Sequence, residues 1–416
     1  MKEIKDNNSS FATDALYNTV GNVVYLFCMW VVTVLVVRLS GYEDAGILSV
    51  AMTTANIFFV VANYGMRSFQ ASDVKNLYSN QQYVYSRFAT VVLSVILCLL
   101  FSIVSGYAGE QFFAIQIYML FKAVEAFADV LFGVMQRGHR LKSAGISLVV
   151  KGICSVAGFV VGLLLFRNLI WALMIMFIAS MMIALLYDIP QTLKIDSTAM
   201  QYHADNNQTA AKLLKECFPM FLVSVAPMIL QAIPKLSFER MYSTAELGIY
   251  SSVAAPTVVL STLVSCIMIP FLPMFADAIQ AHDRKKLFKL LMTFSVAVIS
   301  LGAVACLAAW LLGGWALSLL YGNNLSEYAV LLVWVLCSVT LTSLLYCLNA
   351  LFISGRKLSI LAVVYLAADL LCWLISAPMI QIRGLYGITD ALNITQLVQC
   401  IVLTIICIPL FFRKNP

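Results

Sequence analysis

Lys122, Glu125 and Asp129 fall three and four residues apart inside Gln111–Met135, a run otherwise apolar enough to cross a bilayer. At 3.6 residues per turn the three share one stripe of a helix. The chemistry open to them is ionic: an ammonium can hold an anion, and carboxylates can accept hydrogen bonds or carry a coupling proton. A charge at the bilayer centre costs roughly 2.5–3.5 kcal/mol, while each Leu or Phe returns only about 0.3–0.6 kcal/mol. Three charges on a lipid face would offset most of that helix's insertion energy, so the stripe is expected to face protein or water. A second reading stands beside it: Lys122 and Glu125 form a buried packing pair, with Asp129 left over.

Other polar groups sit inside or beside apolar runs. Lys151 lies six or seven residues inside the fifth run, where it either reaches a cavity or snorkels to the inner interface. Arg67, at the inner end of the second run, is either a ligand-binding group or an interface anchor. Asn18 and Asn22 share a face at i and i+4, as do Asn56 and Asn63 at i and i+7. Unpaired amides in hydrocarbon are costly, so they should face protein or substrate. Asp369 is the one mid-helix charge of the chain's second half and a candidate cavity residue that meets substrate. Arg38 and Arg240 sit at the outer ends of the first and seventh runs, where they can cap helix C-termini. Pro219, Pro227 and Pro234 crowd the seventh run, and a kink or break near Pro227 would make it a hinge.

Several features read as structure rather than chemistry. Gly158 and Gly162 form a small-x3-small pattern suited to close helix packing. The eleven cysteines lie in or at the edge of apolar runs without a Cys-x-x-Cys pair, as packing residues. His139, His203 and His282 are too dispersed for a metal site, and the Asn393–Thr395 sequon lies within a hydrophobic run. Neither a metal nor a tightly bound cofactor is expected.

The elements that must position these groups are membrane helices. The 416 residues are 62% hydrophobic and 11% charged, with a mean hydropathy of +0.92; soluble domains carry about 25% charged residues. Twelve apolar spans are expected, at about 12–37, 45–65, 86–105, 111–135, 144–165, 169–187, 216–235, 248–275, 288–312, 328–350, 359–379 and 387–411, each near the ~20 residues a bilayer requires. Met1–Ser10 is polar and the run after Phe11 is too long for a signal-peptide core, so the first helix is expected to serve as an uncleaved insertion signal. With a cytoplasmic N-terminus, nineteen of the 26 Lys and Arg fall on inside segments, five on outside segments and two within helices. That asymmetry places both termini in the cytoplasm. The net charge of +6 is not gathered into a basic, aromatic-interleaved cluster, so nucleic acid is not an expected partner.

The chain also repeats itself. Arg38, Gly46, Ile47 and Ser49 recur as Arg240, Gly248, Ile249 and Ser251 at an offset of 202, and Gly138 and Leu141 recur as Gly355 and Leu358 at an offset of 217. Both matches join equivalent spans of two six-span groups. The division expected is a lobe at 1–187, a cytoplasmic linker at 188–215 and a second lobe at 216–416, in pseudo-symmetric relation. The second offset sets Lys122, Glu125 and Asp129 over Val339, Thr342 and Tyr346, so the second lobe's equivalent face is polar without being ionic.

The turn from Arg38 to Gly46, Tyr64-Gly-Met-Arg67, Gln136-Arg-Gly138, Leu213-Leu-Lys-Glu-Cys-Phe-Pro219 and Leu320-Tyr-Gly322, taken in order and spacing, resemble the Wzx-type polysaccharide flippases. That family shares a superfamily with the MATE exporters and the lipid II flippases. The resemblance implies an all-α membrane protein whose two six-helix lobes form a V-shaped central cavity. It implies alternating access that carries an undecaprenyl-diphosphate-linked oligosaccharide across the inner membrane of a bacterium. Lys122 and Arg67 would then meet the diphosphate. Glu125 and Asp129 would hold sugar hydroxyls or a coupling proton, and Arg38 and Arg240 are candidate outer-side diphosphate contacts. Coupling to H+ or Na+ is open, and a polysaccharide polymerase and glycosyltransferases are the expected partners beside the lipid-linked substrate and the bilayer. Two other classes compete. A MATE-like cation exporter would favour an acidic, aromatic-lined cavity. A membrane-embedded polymerase or glycosyltransferase would need a substantial outside loop bearing catalytic groups, whereas the outside loops here are short. No catalytic residue is assigned.

Overall fold

Backbone polar groups in hydrocarbon must be satisfied within their own segment, and the chain answers with helices throughout. The computed structural model describes residues 2–72, 77–200 and 206–412; His203 of the expected linker lies outside them. Among the described residues, eleven helical stretches are long and apolar enough to cross a membrane. Helix α5, Gly109–Arg137, has 29 residues and would reach about 43 Å, but its charges leave it outside that set. By contacts the chain divides into two compact units, Met1–Val225 and Ala226–Pro416.

The first unit holds α1 (Lys2–Ser40), α2 (Tyr42–Asn63), the short α3 (Met66–Ser72), α4 (Asn80–Val104), α5, α6 (Leu141–Phe166) and α7 (Leu169–Ile183). Helix α5 is its centre, packed against α2, α4 and α7. The small-residue pattern of α6 works as its spacing suggests. A Cβ on Gly162 would stand 2.4 Å from the Cα of Ala172, and one on Gly158 would meet Ile175, both on α7. Helices α1 and α6 cross as closely: a Cβ on Gly21 would stand 2.4 Å from the carbonyl oxygen of Gly145. Gly162→Val is therefore expected to push α6 from α7 and cost about 1–3 kcal/mol, seen as a lower melting temperature in detergent. Gly314→Ala, where a Cβ meets only ordinary contacts at 3.5 Å, should leave it unchanged.

Several helices run beyond the bounds drawn by hydropathy, and two of these differences bear on the site. Helix α4 begins at Asn80 instead of residue 86, because Ser79 and Gln82 form a capping box. The sixth span does not stop at residue 187. A π turn, Ala184–Asp188, carries it into α8 (Ile189–Leu193), with Pro190 tolerated in the first turn.

Helix α9, Asn206–Met241, is helical without interruption through Pro219, Pro227 and Pro234, so the expected break at Pro227 does not occur. The boundary between the units falls within this helix, two residues before Pro227. The interruption lies one helix later, where Pro256 sits in a 3-10 turn between α10 (Thr244–Ala254) and α11 (Val258–Gln280).

Helices α12 (Arg284–Tyr321), α13 (Ala329–Ser354), α14 (Leu358–Arg383) and α15 (Leu385–Cys407) complete the second unit. Helix starts keep both repeat offsets: α2 begins at Tyr42 and α10 at Thr244, while α6 begins at Leu141 and α14 at Leu358. Thr342, the counterpart of Glu125, accepts a 2.9 Å hydrogen bond from Gln396 on α15, which in turn accepts one from Ser338 at 3.2 Å. The equivalent face of α13 is thus polar and uncharged.

Candidate functional site

The α5 stripe faces protein. The Lys122 Nζ lies 2.7 Å from the Glu125 Oε2, and their side chains are 12% and 11% exposed. Asp129 is not left over. Its Oδ2 lies 3.1 Å from the Nη2 of Arg87, whose side chain is wholly buried, while the Asp129 side chain stays 30% exposed.

Arg87 is held from two directions. Its Nη1 donates to the carbonyl oxygen of Ala62 at 2.9 Å and to the Asn63 Oδ1 at 2.7 Å. Those residues close α2, where the last carbonyls lack intrahelical partners, so the guanidinium caps that helix end. Tyr64 (φ 48°) and Gly65 (φ 66°) then turn the chain through the left-handed region. A Cβ on Gly65 would strike Met220, which adds to its need for glycine. The turn starts α3 and aims Arg67 back at α5. Its Nη1 donates to the carbonyl oxygen of Asp129 at 2.7 Å and its Nη2 to the Gln136 Oε1 at 2.9 Å.

Lys151 neither lines an open space nor snorkels. It pairs at 2.5 Å with Asp188, whose side chain is wholly buried. Asp188 also accepts from the Ser147 hydroxyl, and the Lys151 ammonium lies 5.1 Å from the Phe132 ring. Near the end of α5, Arg137 donates to the Tyr78 carbonyl and the Asn80 side chain. Asn80 bonds Asp196, whose carboxyl is held below its usual range, chiefly by the Thr198 hydroxyl.

The ionic groups gathered around α5 are five cations, Arg67, Arg87, Lys122, Arg137 and Lys151, and three anions, Glu125, Asp129 and Asp188. Three ion pairs use all three carboxylates. Arg67 is bonded to a carbonyl and an amide and is in no ion pair among the described residues, so its charge is a surplus. A half-buried surplus cation next to a partly exposed carboxylate can receive an anion that also offers hydroxyl groups.

The other candidates take no part in these three ion pairs. Asn18 and Asn56 are half-buried and Asn22 is exposed. Arg38 and Arg240 are exposed, each in the last turn of its helix. Asp369 is 8% exposed, and both its carboxylate oxygens are buried without a hydrogen-bond partner among the described residues. No grouping of three or more His, Cys, Asp or Glu suited to a metal occurs among the described residues.

Hydropathy misses two site residues. It places Arg87 at a membrane interface, yet the capping-box sequence Ser79-Asn-Gln-Gln82 puts it two turns inside a helix. It reads Asp188 as the start of a loop because Pro190 follows.

Residues 11–279, nearly two thirds of the chain, match a family described as polysaccharide biosynthesis protein. The chain is 25% identical over 321 residues to the Staphylococcus aureus capsular polysaccharide biosynthesis protein CapF, covering 76% of this chain and 79% of that one. Its fold is similar to the MATE multidrug transporter DinF-BH, with a TM-score of 0.68 at 13% identity over 98% of this chain and 97% of that one. It is also similar to a mutant of the Vibrio cholerae MATE transporter VcmN, with a TM-score of 0.57 at 13% identity over 99% and 100%. A MOP superfamily transporter from Pyrococcus furiosus gives 0.60 at 12% identity over 97% and 96%. At such identities the structural likeness establishes the fold, which is MATE-like and that of a multi-pass membrane protein.

Proposed function

We propose, on the premise that this chain belongs to the polysaccharide biosynthesis protein family, that it moves an undecaprenyl-diphosphate-linked oligosaccharide from the cytoplasmic to the outer leaflet of a bacterial inner membrane. The movement is by alternating access, and it serves assembly of a surface polysaccharide. The observation that carries this reading is the surplus guanidinium of Arg67 beside the half-open Asp129. A diphosphate needs a charge that is not already matched, and Lys122, matched by Glu125, no longer offers one. Arg67, with Arg87 behind it, takes the phosphates. Asp129 and the half-buried amides of Asn18 and Asn56 take sugar hydroxyls.

The same reading includes α5 as the twelfth span and two six-helix lobes about a V-shaped cavity, supported by its length and by the repeat offsets. Both termini are cytoplasmic, supported by the nineteen-to-five distribution of Lys and Arg. The prolines of α9 serve as the hinge, supported by the unit boundary beside Pro227. Asp369, buried without a partner among the described residues, is the site of H+ or Na+ coupling. A polymerase and glycosyltransferases act on the same lipid-linked sugars.

Deleting the gene is expected to leave lipid-linked oligosaccharide on the inner leaflet, and a plasmid copy should restore it to the outer one. A normal leaflet distribution in the deletion strain would overturn the reading.

A further inference from the structure

Lys122 stands in unusual company for a lysine already paired with a carboxylate. Its Nζ lies 5.2 Å from the ring centroid of Phe59 on α2, and 5.7 and 5.5 Å from those of Tyr118 and Phe121 on its own helix. Each distance is within the ~6 Å over which a ring face attracts a cation. Phe121 and Tyr118 are fixed in the core, at 0% and 2% exposure. The Glu125 Oε2 closes another side at 2.7 Å, and the Glu125 Oε1 is buried without a hydrogen-bond partner among the described residues.

Three aromatic rings and a carboxylate with spare acceptor capacity are the parts from which proteins build receptors for alkylammonium ions. An ammonium this far from water needs both the ring faces and the carboxylate, and the carboxylate needs the ammonium. We propose that Lys122 is a tethered cation: it fills from within an alkylammonium-binding site built by Glu125, Phe59, Tyr118 and Phe121, and thereby bars small organic cations from it. Lys122 is then a specificity-determining residue. It keeps a site with the parts for cation binding closed to free cations. This inference stands whether or not Arg67 binds phosphate.

Truncating Lys122 at Cβ removes Cγ, Cδ, Cε and Nζ, which are the heavy atoms of n-propylammonium. Purified K122A is therefore expected to gain a saturable rise of several degrees in melting temperature with n-propylammonium chloride, measured against sodium chloride at equal ionic strength. The neutral isostere n-propanol should give no rise. Wild type and K122A/E125Q should not respond to the amine. K122M, which fills the space without charge, should fold and also fail to respond. A folded K122A unmoved by the amine, or a wild-type protein stabilised as much, would overturn the proposal. If K122A accumulates only when cells are grown with the amine, the site has been refilled as proposed. If K122A accumulates neither with the amine nor without it while K122M folds, the proposal fails.

Discussion

Asp129→Ala is expected to destabilise the purified protein by about 3–5 kcal/mol, because it strands a wholly buried guanidinium. The remaining bonds of Arg87, to the Ala62 carbonyl and the Asn63 amide oxygen, solvate the group without neutralising it. For a unit of this size the fall in melting temperature would be roughly 6–20 °C. Arg87→Met/Asp129→Leu should recover most of that stability, since apolar side chains commonly replace a buried pair at little cost. The double variant is expected to fold and to transport poorly, because Asp129 is the carboxylate of the cluster with appreciable exposure and Arg87 backs the proposed phosphate site. A double variant that stays as unstable as Asp129→Ala would show that the pair's geometry, and not its stranded charge, sets the cost.

Lys151→Met should be as damaging to stability. It leaves the Asp188 carboxylate, with no exposed side-chain surface, supported by the Ser147 hydroxyl. The expected loss is again about 3–5 kcal/mol by thermal unfolding in detergent. Here the double variant Lys151→Met/Asp188→Leu should restore both stability and transport, because neither charge is open to a ligand. The contrast between the two double variants separates an ion pair that only packs from one that also borders the substrate path. Loss of transport in a stable Lys151→Met/Asp188→Leu protein would move the path toward α6 and the π turn.

The sequence made the stripe on α5 legible because a three-and-four spacing among apolar residues has one geometric meaning on a helix. The Lys122–Glu125 pair followed from the same spacing. Partners of Asp129 and Lys151 did not, since they lie 42 and 37 residues away and only packing brings them near. Hydropathy also fell short at both: it began α4 inside its first turns and ended the sixth span just before a carboxylate that the fold buries. Proline positions were visible but their effects were not. Pro227 lies in an unbroken helix, while Pro256 interrupts one, a choice that depends on how neighbouring groups satisfy the freed carbonyls. The repeat was legible in a handful of turn residues because those turns fix where helices begin, and the helix starts keep its offsets.

The most direct test of the surplus-cation site is Arg67→Gln, which removes the unmatched charge and keeps a side chain able to donate to the Asp129 carbonyl. In cells whose only copy is this variant, at wild-type abundance and melting temperature, lipid-linked oligosaccharide should accumulate on the inner leaflet, and Arg67→Lys should restore part of the transfer. A wild-type leaflet distribution with Arg67→Gln would contradict the assignment.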